Sequence, residues 1–161
     1  METLTRESVV SLLQSYALGR TALADIRTWI GRVVAADDIE IADEDAAAIA
    51  AVINVFEDSS IEDSELPALA GHIADILGLL GLSGEKYVAL IALLVNARRL
   101  SDLLRRVASG QISDVALGNA LSRTQLPLGV RRWLERSSPQ QRERIERALT
   151  DGDVRMLAAA M

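Results

Sequence analysis

The sequence contains no cysteine and only one histidine among its 161 residues, and these absences exclude several common site chemistries. Without cysteine there is no disulfide framework and no thiolate nucleophile. His72 would need carboxylates to complete a zinc or iron site, and Asp75 is the one acid close to it in the sequence. Phosphate-binding glycine loops and the GxSxG turn are also missing. We therefore expect no enzymatic activity, no metal and no cofactor.

Aromatic residues and long apolar runs are also scarce. Only 3% of the residues are aromatic although 50% are hydrophobic, so the core must consist of Leu, Ile, Val and Ala, and alanine favours helix. The uncharged run Ile76–Gly84 and the apolar run Tyr87–Val95 are shorter than the roughly 20 residues that cross a bilayer. No basic region followed by an apolar core marks a secretion signal. We expect a cytoplasmic protein without membrane contact.

One stretch, Lys86–Ser109, predicts the element around which the fold is built. Its first half is apolar on every side, so other elements must surround it. Its second half narrows to one apolar stripe with arginines on the opposite face. A helix of this length spans roughly 36 Å, which is enough to cross a small domain. We predict that 86–109 is the central helix of a bundle.

The remaining chain shows helical periodicity, capping residues and glycine stops, and no stretch alternates as a strand would. The predicted fold class is therefore all-α, a bundle of about seven to nine helices around the central one. Pro67 and Pro139 occur in first turns, where a helix tolerates proline, and Pro127 interrupts the chain before the helix that begins at Leu128. The predicted helices are Arg6–Leu18, Ala22–Val34, Glu44–Phe56, Leu66–Leu80, Lys86–Ser109, Asp114–Arg123, Leu128–Arg136, Pro139–Leu149 and Val154–Ala160.

An internal similarity relates two parts of the chain. Leu12–Arg32 aligns without gaps on Leu103–Arg123 at an offset of 91, with five identities in 21 positions. Each copy has the pattern helix, glycine, short polar turn and second helix. A duplication would give two related helical subdomains, 1–82 and 83–161. Any two helical hairpins that end on glycine could also align this way, in which case the chain is one continuous domain.

The net charge of −6 divides unevenly along the chain. Residues 1–85 carry 16 acidic and 4 basic side chains, whereas residues 86–161 carry 7 acidic and 13 basic ones. The halves could attract each other within one fold, or the acidic half could bind a basic protein. Two clusters, 37–45 and 57–65, contain most of the acids. The first lacks the central glycine of a calcium loop and has isoleucine where oxygen ligands are needed. Solvated loops are the favoured interpretation of both clusters, and if they bind a ligand, a basic protein suits them better than a metal.

The basic half has the outline of a helix–turn–helix motif over residues 115–136. The candidate reading helix begins Leu128-Gly129-Val130, and these residues are unsuited to contacts with base edges. A hairpin that packs Trp133 and Leu134 into the core is therefore the favoured interpretation, and nucleic acid is the less favoured partner. A homodimer that buries apolar stripes is a third possibility. The alternative nucleic-acid contacts would be Arg131, Arg132, Arg136, Arg142 and Arg144.

Residues 5–80 resemble a known family through three segments joined by acidic linkers. The segments read LLQSYALGRTALADIRTWI, AAAIAAVINVFEDS and ELPALAGHIADIL. In this order they resemble the small helical immunity proteins of the colicin D type, which protect bacteria from their own toxins. The resemblance implies a binding protein whose acidic surface blocks the basic, RNA-facing cleft of a toxin. By position, the surface would consist of Asp37, Asp38, Asp43, Glu44, Glu57, Asp58, Glu62 and Asp63.

Overall fold

The computed structural model describes residues 2–161, and their backbone is almost entirely helical. The all-α class is confirmed, with ten α-helices in the described part of the chain. The elements are β1 (Glu2–Leu4), α1 (Arg6–Ala17), α2 (Leu23–Ala35), β2 (Ile39–Ile41), α3 (Asp43–Glu57), a 3-10 turn (Asp63–Glu65), α4 (Leu66–Leu77), α5 (Gly84–Val95), α6 (Ala97–Ala108), α7 (Asp114–Ser122), α8 (Leu128–Arg136), α9 (Pro139–Asp151) and α10 (Val154–Ala160).

The chain forms two compact units, Met1–Ile91 and Ala92–Met161. The first unit has 16 acidic and 5 basic side chains, and the second has 7 acidic and 12 basic ones. In the first unit α1 packs mainly against α4, and in the second α6 packs mainly against α9. Each unit therefore has its own helical core and its own sign of charge.

The first unit contains two short strands that the sequence pattern does not predict. β1 and β2 pair in parallel, with Glu2 opposite Ile39 and Leu4 opposite Ile41. The pairing directs Leu4 into the core, where it is buried. Strands of three residues alternate too briefly to give a periodic signal, and their pairing joins residues far apart in the sequence. The expectation of no strand is therefore wrong at this one place.

The predicted central helix is not continuous, because it divides at Asn96 into α5 and α6. Asn96 has φ −100° and ψ 14°, which departs from helical geometry. Its side-chain amide donates to the Ala92 carbonyl at 2.8 Å, in competition with the backbone N–H that donates to the same oxygen at 3.2 Å. Asparagine favours such local bonds over a continuing helix. The apolar segment before the break is buried as predicted, at Tyr87, Ala89, Leu90, Ile91, Leu93 and Leu94.

The internal similarity corresponds to a hairpin that occurs in both units. α1 begins at Arg6 and ends at Ala17, and α6 begins at Ala97 and ends at Ala108, so both ends differ by the offset of 91. Gly19 and Gly110 follow the two helices, and each has a φ of 77°. This left-handed conformation stops a helix and is favourable for glycine.

The two turns also share their backbone hydrogen bonds. Arg20 N–H donates to Ser15 O at 2.9 Å, and Gln111 N–H donates to Arg106 O at the same distance. The next residue in each turn donates to the same carbonyl at 3.3 Å. Four pairs of core residues at this offset are at most 5% exposed: Val9 and Leu100, Leu13 and Leu104, Ile26 and Leu117, and Ile30 and Leu121. The two segments thus form the same structural unit, and its origin by duplication stays a sequence-based prediction.

Candidate partner-binding site

The eight carboxylates implied by the resemblance all belong to the first unit and face solvent. Seven are exposed, and Asp58 is half-buried. Among the described residues, Asp63 is the one member of this set that forms an ion pair. Within residues 2–161 no salt bridge is described for the other seven, so their charge is available to an external group. Asp37 and Asp38 follow α2, Asp43 and Glu44 open α3, Glu57 ends it, and Asp58, Glu62 and Asp63 lie between α3 and α4.

A neighbouring acid of the first cluster, Asp45, has a structural role instead. Its Oδ1 accepts from Arg6 Nε at 2.7 Å, and its Oδ2 accepts from the Arg6 backbone N–H at 3.2 Å. The two side chains are only 17% and 8% exposed. Asp45 lies on the same helical face as Ile49 and Val52, and this spacing is the signal that could have separated it from the exposed acids.

Arg6 connects several parts of the first unit. Its guanidinium lies over the Tyr87 ring, 4.6 Å from the centroid, and donates to the Tyr87 hydroxyl. It also donates to the Leu77 and Leu79 carbonyls at 3.0 and 3.3 Å. The Tyr87 hydroxyl in turn donates to the Leu79 carbonyl. These hydrogen bonds satisfy a largely buried cation together with the Leu77 and Leu79 carbonyls, which lie at the end of α4 and just after it.

Three of the predicted carboxylates border an open groove between α2 and the α3–α4 connection. The groove has a volume of about 570 Å³ and is lined by Glu57, Asp58 and Asp63 together with apolar side chains. The apolar lining consists of Ile61, which is half-buried, and of Phe56, Ile30 and Leu66, which are almost fully buried. The structure therefore places acids beside apolar surface. The other predicted acids, Asp37, Asp38, Asp43, Glu44 and Glu62, are not among the residues that line the groove.

A single arginine contributes to this groove. Arg27, on α2, donates from Nη2 to Asp63 Oδ1 at 2.9 Å. Their side chains are 52% and 66% exposed. An ion pair this exposed contributes at most about 1 kcal/mol, because water and salt screen it. The pair is therefore easily opened, although it is the one ion pair described for the predicted acidic surface.

The charges at the groove also affect the pKa of a core residue, Tyr16. Tyr16 contacts Phe56 edge-on, with ring centroids 5.8 Å apart. Burial raises the pKa of the Tyr16 phenol, the Asp63 carboxylate raises it further, and Arg27 opposes this by lowering it. At the rim, the Ser60 hydroxyl and backbone N–H both donate to Asp58 Oδ1 and lower the pKa of that carboxyl. Asp58 is therefore held as an anion.

The structure reduces the alternative set of nucleic-acid contacts. Arg132, Arg136 and Arg144 are exposed as predicted, and Arg131 is half-buried with no hydrogen-bond partner for its Nε. Arg142, the remaining member of this set, is buried at 9% exposure. It donates to Asp114 Oδ1 at 2.8 Å and to the Glu135 carbonyl at 3.0 Å. Its cation stabilises the second unit and is not available to phosphate.

His72 lies half-buried on α4 beside a second shallow depression of about 520 Å³. Asp75, Gln14 and Leu18 line the same depression, and Leu18 is largely exposed. Within residues 2–161, no group of three or more His, Asp or Glu side chains is arranged to hold a metal ion.

No helix within residues 2–161 is both long and apolar enough to cross a membrane. No protein-family model, no curated protein and no solved structure matches the chain. The function must therefore be argued from the groove and its charges.

Proposed function

We propose that the protein is a non-enzymatic binding module whose acidic first unit engages a basic protein partner. The observation that carries the proposal is the groove between α2 and the α3–α4 connection. Glu57 and Asp58 line it without an ion-pair partner in the described chain, next to apolar side chains. The carboxylates attract a basic partner to the surface. Affinity comes from apolar surface that loses its contact with water when the partner binds.

The charge of the first unit supports the same proposal. With 16 acidic against 5 basic side chains, it attracts cations over distances of several ångströms at low salt. Five of the eight predicted acids lie outside the groove lining and would add to this field. We assign them to encounter with the partner, and we assign the groove to the contact itself.

A sharper form of the proposal is that the partner is a toxin and the protein its immunity factor. The support for this form is the resemblance of residues 5–80 to colicin D-type immunity proteins, together with the solvent exposure of the acids that the resemblance implies. Expression of the protein encoded by the neighbouring reading frame tests it. Growth arrest that this chain relieves is expected, and unrelieved arrest would contradict the immunity role.

The broader proposal is tested with a basic probe of known composition. Fluorescence anisotropy of labelled octa-arginine is expected to show binding that weakens as salt rises. Glu57→Gln with Asp58→Asn should weaken binding about tenfold or more, on the order of the loss of two charge-assisted contacts.

The control is Asp37→Asn with Asp38→Asn, which removes the same charge outside the groove. It should weaken binding less, because it changes the long-range attraction alone. An absence of octa-arginine binding, or binding that ignores both salt and the groove substitutions, would reject the proposed function.

A further inference from the structure

The groove presents the two surfaces that an arginine side chain needs. An arginine packs its methylene stem on apolar groups and directs its planar guanidinium at carboxylates. The half-buried Ile61 offers apolar surface next to the nearly buried Ile30 and Phe56, and Glu57, Asp58 and Asp63 offer the carboxylates. Lysine has a point charge without the planar fork, so it fits this combination less well. The chemistry of the groove therefore selects arginine among basic side chains.

We infer that the groove receives an arginine of the partner, and that this arginine exchanges with Arg27 for the Asp63 carboxylate. The inference rests on the proposed function and specifies which side chain of the partner is recognised. Arg27 forms the type of contact that the incoming side chain would make, with 2.9 Å between its Nη2 and Asp63 Oδ1. In the free protein it occupies a carboxylate that the partner requires.

The exchange is feasible because the resident pair is weak. Arg27 and Asp63 are both more than half exposed, so breaking their ion pair costs little free energy. The partner's arginine would also reach Glu57 and Asp58, which have no ion pair in the described structure. Ser60 already orients Asp58 through two hydrogen bonds at 2.9 and 2.6 Å. The incoming guanidinium thus gains contacts that Arg27 does not make.

The second unit shows that the repeated hairpin does not require an arginine at this position. In the second hairpin, Gly118 stands at the position that corresponds to Arg27 at the offset of 91. The hairpin therefore forms without this arginine. We assign Arg27 to binding.

The test uses the full chain, labelled octa-arginine and the substitution Arg27→Gln. Its matched control is Arg32→Gln. Arg32 lies on the same helix, is also exposed, and is also paired to an acid, Glu2, at 3.5 Å. Each variant makes the unit more acidic by one charge, so long-range attraction rises equally. We expect Arg27→Gln to bind octa-arginine about fivefold more tightly than Arg32→Gln, because Asp63 is released.

Asp63→Asn added to Arg27→Gln should cancel this gain, and octa-lysine should gain less than octa-arginine. As an independent readout, methyl resonances of Ile30 and Ile61 should shift when octa-arginine is added, while that of Ile145 in α9 stays in place. Equal tightening in the two arginine variants, or methyl shifts that avoid the groove, would overturn the exchange and leave the proposed function standing. Failure of every variant to bind octa-arginine would reject both.

Discussion

Arg6 and Asp45 are joined by two hydrogen bonds that connect the start of α1 to the first turn of α3. Nε of Arg6 lies 2.7 Å from Asp45 Oδ1, and the Arg6 backbone nitrogen lies 3.2 Å from Oδ2. Tyr87 adds a hydrogen bond and a ring face to the same guanidinium. Because the pair is largely buried, loss of one partner leaves a charge without compensation.

We predict that Asp45→Ala lowers the free energy of unfolding by about 3 kcal/mol, since the Arg6 cation would remain buried and unpaired. Urea denaturation measures the loss. Asp43→Ala is the control, because it removes an exposed acid from the same helical turn and should cost less than about 1 kcal/mol. Equal losses in the two variants would mean that Asp45 stabilises the protein only as a negative charge in the first turn of α3, and that its contact with Arg6 adds nothing.

The second prediction concerns the glycines of the repeated hairpin. Gly19→Ala and Gly110→Ala should each destabilise the protein by about 1 kcal/mol, because both positions have a φ of 77°. A Cβ at either position would meet no atom within 4 Å, so the cost is in the backbone alone. Gly129→Ala, in α8 and equally free of neighbours, should be neutral or stabilising. A loss at one hairpin only would contradict their structural equivalence.

The third prediction separates the structural arginine from its exposed neighbour. Arg142→Met keeps an apolar stem but removes the bonds to Asp114 and to the Glu135 carbonyl, and should cost about 2 kcal/mol in thermal or urea unfolding. Arg144→Met, on the solvent face of the same helix, should change stability by less than about 0.5 kcal/mol. Similar losses would contradict the assignment of Arg142 to the core of the second unit.

The fourth prediction uses the raised pKa of Tyr16. Its phenol should ionise at higher pH than an exposed tyrosine, because it is buried and lies near Asp63. The unfolded chain releases this proton near pH 10. The stability that the neutral phenol contributes is thus fully present below pH 10 and is lost as the pH rises above it. Absorbance titration in a Tyr87→Phe background would follow Tyr16 alone.

Substitutions at the groove give this titration its controls. Asp63→Asn should lower the pKa of Tyr16, and Arg27→Gln should raise it, because the first removes a negative neighbour and the second a positive one. Tyr16→Phe should abolish the part of the alkaline destabilisation that this residue causes. An unchanged alkaline profile in Tyr16→Phe would show that another group is responsible.

Local features were predictable from the sequence because neighbours along the chain decide them. Thr5, Ser113 and Ser138, which are residue types that favour helix N-caps, cap α1, α7 and α9, each by accepting from a backbone N–H three residues on. The glycine stops at Gly19 and Gly110 also follow from local conformation. These signals, with helical periodicity, are sufficient for the all-α class.

Features that depend on distant contacts were not predictable. Arg142 looks like a surface charge in the sequence, and its pairing with Asp114 joins residues far apart in the chain. The helical spacing of Asp45 points to the core, but its pairing with Arg6, 39 residues away, is not visible in the sequence. The acids of the groove were in the predicted set, but their meeting with Arg27, Ile30 and Phe56 required the folded chain.

The two matching turns after α1 and α6 provide an internal reference for measurements on this molecule. The amide protons of Arg20 and Gln111 are held at the same donor–acceptor distance within the same local geometry. Their exchange rates with deuterated solvent can be corrected for neighbouring residue types. After this correction, equal local hydrogen bonding gives no reason for the two amides to exchange at different rates. A remaining difference in protection then reports which half of the chain opens more often, so one spectrum compares the opening of both halves.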